Sequence, residues 1–161
     1  MTTGNETNVF NIAVNGNFDD CQNLVKAMFA DKSFSNSINM SGVNSINWAR
    51  IIAQSVYYFY SYFSIEDKTQ PINFSVPTGN FGDVYAGYLA KKMGLPIGKL
   101  LVATNQNDIL HRAISKGEYN IEKVLETISP SMDIQLASNC ERLLYELNHY
   151  DDTQTVSALK D

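Results

Sequence analysis

The sequence predicts an α/β fold: a three-layer αβα arrangement on a mainly parallel sheet. Two observations carry that prediction. Short runs rich in β-branched and aromatic residues alternate with longer stretches of helical periodicity, which is the pattern of βαβ units. One junction, FSVPTGNFGDVYAGYLAKKMG at Phe74–Gly94, passes from an apolar run through a Thr-Gly-Asn-Phe-Gly turn straight into a helix. Parallel strands need a crossover of that kind.

The elements follow in order. VFNIAV (Val9–Val14) predicts a first short strand. In the following NGNFDDC, Asn17 is a candidate helix N-cap, and Asp19 and Asp20 in the first turn complement the helix dipole. Cys21, Leu24, Val25, Met28 and Phe29 then recur at helical spacing. SINM (Ser37–Met40) predicts a second short strand. From about Ser45 to Phe63 the chain is apolar on nearly every face, which predicts the most buried helix, with Tyr57-Tyr58-Phe59-Tyr60 in the core. PINFSV (Pro71–Val76) and KLLVAT (Lys99–Thr104) predict a third and a fourth strand. Between them runs a helix from about Gly82 to Met93, stopped by Gly94 and Pro96. Beyond Thr104 the pattern turns helical. Ser129 or Ser131 can cap a helix with Pro130 in its first turn and Leu136, Cys140, Leu143, Leu144 and Leu147 as its apolar stripe. The tail DDTQTVSALKD is polar and weakly patterned.

Composition excludes several classes of function. The 161 residues suffice for one domain with a core. Twelve Lys and Arg stand against 17 Asp and Glu, a net charge of −5, which argues against a broad nucleic-acid or anionic-membrane surface. No run of about 20 apolar residues predicts a transmembrane helix, and MTTGNETN lacks the basic and apolar regions of a signal peptide. Cys21 and Cys140 both fall on apolar helical stripes, which predicts buried free thiols and a reducing cytoplasm. His111 and His149 lie far apart with no carboxylate or cysteine at metal-ligand spacing, so no metal site is expected.

The Gly79-Asn80-Phe81-Gly82 turn admits two readings. Ligands in open α/β sheets bind beyond the carboxyl ends of strands, where helix N-termini offer unpaired N–H groups and a positive dipole end. Glycines let the backbone approach an anion or adopt positive φ, and asparagine tolerates left-handed φ. The turn therefore suits a phosphate cradle of main-chain N–H groups; Asp83, just inside the helix, would repel an anion if it faced inward, so it is expected to point away or to cap nearby N–H groups. The other reading is an ordinary strand–helix connection. The turn matches neither Gly-x-Gly-x-x-Gly nor a Walker loop. Asn44, Ser45 and Asn47 in VNSIN precede the apolar helix. Asn44 or Ser45 can cap it, or the group can wall a site. Arg50, one turn past Asn47, either meets a substrate phosphate or salt-bridges or lies exposed, and Thr104, Asn105 and Asn107, which end the fourth strand on the side where ligands bind, read as a structural turn.

SVPTGNFGDVYAGYLAKKMGLPI resembles the phosphate-binding loop and following helix of threonine synthases. IAVNGNFDDCQNLVKAMF, VNSINWARIIAQSVYYFY, LLVATNQNDIL and SPSMDIQLASNCERLLYEL also resemble segments of that family, in the family's order. The resemblance implies a tryptophan-synthase-β-like fold and pyridoxal 5'-phosphate as cofactor. It implies Gly79, Asn80, Phe81, Gly82 and Asp83 at the cofactor phosphate, and Asn44, Ser45 and Asn47 toward the small-molecule substrate, O-phosphohomoserine. The reaction implied is O-phospho-L-homoserine and water to L-threonine and phosphate. The family's Schiff-base lysine lies in a Phe-Lys-Asp context, and no lysine here has that context. The chain is therefore expected to be a central piece of such an enzyme, inactive alone. Residues 1–150 would be part of the large cofactor domain, and residues 151–161 would lead toward a missing C-terminal segment. The alternative is a stand-alone α/β module that binds a phosphorylated small molecule. Oligomeric state is open on either reading.

Overall fold

The computed structural model describes residues 4, 6–16 and 18–159. They fall into two compact units that divide between Met40 and Ser41. The first unit holds α1 (Phe18–Ala30) and α2 (Lys32–Ser37). The expected N-cap Asn17 lies outside the described residues. Val9–Val14 forms no strand, and Phe10 and Ile12 are exposed. β-propensity expresses packing against a neighbouring strand, and no strand of the described residues pairs with this segment. The strand expected at Ser37–Met40 is also absent. Asp31 accepts a hydrogen bond from the Phe34 N–H at 3.0 Å, and this N-cap starts α2 through Ser37 instead.

The second unit is built on one βαβ crossover. Strands β1 (Ile72–Pro77) and β2 (Ile97–Ala103) pair in parallel, joined by α4 (Gly82–Lys92). The register runs Phe74 to Leu100, Val76 to Val102 and Pro77 to Ala103, with an irregularity between Ile72 and Phe74. There the Asn73 side chain accepts the Lys99 N–H at 2.7 Å in place of a ladder bond. The α/β class and parallel pairing are as expected. Among the described residues the sheet has two strands rather than about four, because neither N-terminal candidate pairs.

The helix α3 (Trp48–Ser64) begins later than predicted, because Asn47 is its cap: its side chain accepts from the Ala49 N–H at 2.9 Å. Nor is α3 the most buried helix. Ile51, Ser55 and Tyr58 face inward, whereas Tyr60 is 75% and Phe63 69% exposed. Of the aromatic run only Tyr58 is buried. The deeply buried helix is α4, where Ala86, Gly87 and Ala90 are small enough for α3, β2 and α6 to close around it.

Next come α5 (Ile109–Lys116), a 3₁₀ turn (Pro130–Met132), α6 (Cys140–Leu147) and α7 (Asp152–Ala158). The helix expected from Ser129 or Ser131 is only that turn, followed by an irregular segment, so Leu136 precedes α6. Glu146 on α6 accepts from Tyr85 at 3.0 Å and Tyr88 at 3.2 Å and forms an ion pair with Lys92, fixing α6 to α4. The tail is helical because Asp151 caps it through the Gln154 N–H at 3.0 Å. Cys21 and Cys140 are free and half-buried. Burial pushes the Cys140 thiol up to about 11.

The α3–α4 crossing is a close contact between ring and backbone. A Cβ on Gly87 would lie 2.6 Å from the Tyr58 ring. That ring cannot move aside easily: it packs edge-on against Phe74, and its hydroxyl donates to the Asp83 carbonyl at 2.7 Å. Gly87→Ala should therefore destabilise the fold by about 1–3 kcal/mol through overpacking, although alanine is the better helix former. Chemical denaturation with an unchanged m-value checks this.

Candidate anion-binding site

The carboxyl ends of β1 and β2 point the same way, and the turn at Thr78–Phe81 sits there at the start of α4. Thr78 extends the ladder by donating its N–H to the Ala103 carbonyl at 2.9 Å. Its Oγ1 accepts the Phe81 N–H at 3.1 Å, and Asn80 Oδ1 accepts the Gly82 N–H at 2.9 Å. Two of the five N–H groups between Gly79 and Asp83 are thus tied inside the turn. Those of Gly79, Asn80 and Asp83 have no acceptor among the described residues. They are the ones free for a ligand at the positive end of the α4 dipole.

The glycines play a different part from the one expected. Neither Gly79 nor Gly82 has positive φ; the left-handed residue is Phe81, at φ 65°. A bulky residue there costs on the order of 1–3 kcal/mol and persists only where its surroundings impose it. They do so here: the Phe81 ring is in the core, its N–H is held by Thr78, and its carbonyl accepts the Tyr85 N–H at 3.0 Å. The glycines instead admit close neighbours. A Cβ on Gly79 would lie 3.2 Å from Met132 Cα and 3.0 Å from Ile134 Cδ1. One on Gly82 would lie 3.0 Å from Asn80 Oδ1, 3.3 Å from Ile51 Cδ1 and 3.4 Å from Asn139 Nδ2.

The segment that packs on the glycines is set by a polar network. Asn105 Nδ2 lies within hydrogen-bonding distance of Thr127 Oγ1, Ser129 Oγ and Asp133 Oδ1, at 2.8 to 2.9 Å. Asn107 donates to the Leu125 carbonyl and to Asp133, and accepts the Leu125 N–H. The Thr127 hydroxyl and N–H, with the two asparagines, hold the Asp133 carboxyl below its ordinary range. Asn105 and Asn107 therefore serve the turn after β2, as their sequence suggested. Met132 and Ile134, which meet Gly79, flank Asp133.

No family model matches the chain. Individual sequences do. The threonine synthase of Pseudomonas aeruginosa is 53% identical over 161 residues, 100% of this chain, and that of Saccharomyces cerevisiae 55% identical over 150 residues. The chain is homologous to threonine synthases along its whole length. It spans about a third of the length of the curated relatives it matches, 34% and 29% for these two. Among solved structures, a threonine synthase from Brucella melitensis with pyridoxal phosphate bound superposes with a TM-score of 0.77 at 54% identity, over 90% of this chain and 31% of that one. The Escherichia coli threonine synthase gives a TM-score of 0.78 at 34% identity, over 87% and 33%.

In this threonine synthase homologue the VNSIN residues have divided roles. Asn44 Oδ1 accepts the Ile46 N–H at 3.2 Å. Asn47 caps α3 and donates to the Gly42 carbonyl. Ser45 differs, because its buried Oγ has no hydrogen-bond partner. Arg50 lies exposed, one of the expected outcomes, and donates to the Val43 carbonyl at 3.1 Å. Two residues not singled out by sequence reach this loop from the start of α6. Asn139 Nδ2 donates to the Ser45 carbonyl at 3.0 Å, and Arg142 donates to the Ile46 carbonyl. Their only sequence signal was a polar pair around an apolar stripe, which reads as capping.

Asp83 lines a cavity of about 130 Å³ with Tyr57, Tyr58, Ser61 and residues 74–77. Its Oδ1 has no hydrogen-bond partner. Burial pushes its carboxyl above the ordinary value, partly offset by the Tyr58 hydroxyl. A carboxyl raised on folding favours the protonated native state, so its contribution is present at low pH and is lost as pH rises through the folded pKa. Asp83→Asn should therefore raise the melting temperature at pH 7 and not at pH 3. Paired thermal melts across that range check the sign.

Proposed function

We propose that the turn Gly79–Asp83 holds the phosphate of pyridoxal 5'-phosphate, and that the protein takes part in converting O-phospho-L-homoserine and water to L-threonine and phosphate. This reaction releases phosphate from carbon, the work of a carbon–oxygen lyase in threonine biosynthesis. The observation that carries the reading is the set of unpaired N–H groups at the start of α4, on a turn whose other two amides are fixed internally. The homology to threonine synthases, and the pyridoxal phosphate named in the Brucella melitensis structure, support the choice of ligand.

The residues present suit that group. The Gly79, Asn80 and Asp83 amides are neutral donors for a dianionic phosphate, aided by a dipole equivalent to roughly half a charge at the helix start. Phe81 and Gly82 keep the turn rigid, so the donors need not reorganise on binding. The raised carboxyl of Asp83 weakens its repulsion toward a bound anion. When bound, pyridoxal phosphate supplies an electron sink for a carbanion formed on the substrate. Ser45, whose buried hydroxyl is unpaired, has hydrogen-bonding capacity left for substrate, as does the side-chain NH2 of Asn44. Asn44 and Asn47 shape the loop that presents it. In this reading residues 1–150 belong to the large cofactor domain, with α7 beyond it. The free thiols suit a cytoplasmic enzyme.

No lysine here stands in the family's Phe-Lys-Asp context. The isolated 161-residue chain with pyridoxal phosphate should accordingly form no threonine. A stoichiometric absorbance band traced by mass spectrometry to one lysine would overturn that expectation. In the full-length enzyme, Gly79→Val should lower cofactor affinity at least tenfold, about 1.4 kcal/mol, because valine collides with the Met132 backbone. Gly82→Val should act likewise by displacing Asn80. Equilibrium titration of pyridoxal phosphate reads both, and unchanged affinity in both would leave the turn a plain strand–helix connection.

A further inference from the structure

We infer that Asn139 is a positioning residue that locks the anion cradle to the VNSIN loop, so that the two halves of the proposed site keep one spacing. This rests on the reading of Gly79–Asp83 as a phosphate cradle. Asn139 joins three segments through two bonds. Its backbone N–H donates to the Asn80 carbonyl at 3.1 Å, and its side-chain Nδ2 donates to the Ser45 carbonyl at 3.0 Å. Asn80 is one of the cradle residues whose amide has no acceptor among the described residues. Ser45 carries the unpaired buried hydroxyl. Position 139 therefore touches both halves directly.

The chemistry of the side chain argues for that purpose. Asn139 is 0% exposed, yet its Oδ1 has no hydrogen-bond partner, and the neighbouring Ser138 Oγ is also unpaired. A buried acceptor without a partner is unfavourable, and a small apolar side chain would avoid that penalty. Asn139 heads α6, the usual place for a capping asparagine, but its side chain makes no capping hydrogen bond. The side chain is thus directed to the Ser45 carbonyl, 94 residues away in sequence, in preference to its own helix. Gly82 leaves the room: a Cβ there would lie 3.4 Å from Asn139 Nδ2. An asparagine that sacrifices its local bond and keeps an unpaired oxygen is being held for geometry.

The test combines hydrogen exchange with ligand titration on the full-length enzyme, comparing wild type, Asn139→Ala and Asn139→Leu. Asparagine to leucine keeps roughly the volume and removes the Nδ2 donor without adding a charge beside the cradle, so it carries the test if the alanine variant does not fold. Asp151→Ala, which uncaps the remote α7, controls for general loss of stability. In the folded variants the Phe81 and Gly82 amides should exchange at least tenfold faster, with the Val102 amide unchanged. Pyridoxal phosphate and inorganic phosphate should each bind about tenfold more weakly. Asp151→Ala should change neither. Equal loss of protection at Phe81, Gly82 and Val102, or wild-type exchange at the cradle, overturns the inference. Faster local exchange in an enzyme whose wild type binds neither ligand would uphold the lock and overturn the cofactor reading.

Discussion

At Gly79 and Gly82 the cradle is pressed between the start of α3 on one side and residues 132–139 on the other, with Met132 Cα, Ile134, Ile51 and Asn139 all within 3.4 Å of where a side chain would begin. This close approach has a cause on each side. Residues 125–133 are tied by Asn105, Asn107, Thr127 and Asp133 to the loop after β2. Ile51 projects from α3, whose position is set by the Tyr58 ring against Gly87 and by the Asn47 cap. The glycines occupy the one place where these constraints meet.

The strain at Phe81 follows from the same arrangement. A left-handed phenylalanine is tolerated because Thr78 holds its N–H, the core takes its ring, and its carbonyl starts α4. With Phe81 and Gly82 bonded within the turn, the remaining amides are presented on a fixed frame. Preorganised donors of this sort bind an anion without first giving up other bonds. A turn made flexible by glycines at positive φ would have lost more order on binding.

A second consequence concerns α4. Its small residues allow three elements to pack on it, so it is the buried helix, while α3 keeps one face toward the core and exposes Val56, Tyr57, Tyr60 and Phe63. Among the described residues no helix is long and apolar enough to cross a membrane.

By itself the sequence determined the βαβ unit, the boundaries of α4 and the turn between β1 and α4, because these rest on local rules. A β-branched run pairs in parallel only through a crossover, Gly94 at φ 101° ends a helix, and a strand–turn–helix junction leaves amides unpaired. It also carried the resemblance to threonine synthases in five ordered blocks. Only the tertiary structure decided what depends on distant partners. Val9–Val14 failed as a strand because none of the described residues pairs with it, and apolarity around α3 did not translate into burial because burial needs a neighbour. Phe81 took the left-handed conformation assigned by type to Asn80 or a glycine, since Thr78 and the core outweighed local preference. Asn139 gave up its cap for the Ser45 carbonyl, a choice that no spacing in the chain records, because it is made between residues 94 positions apart.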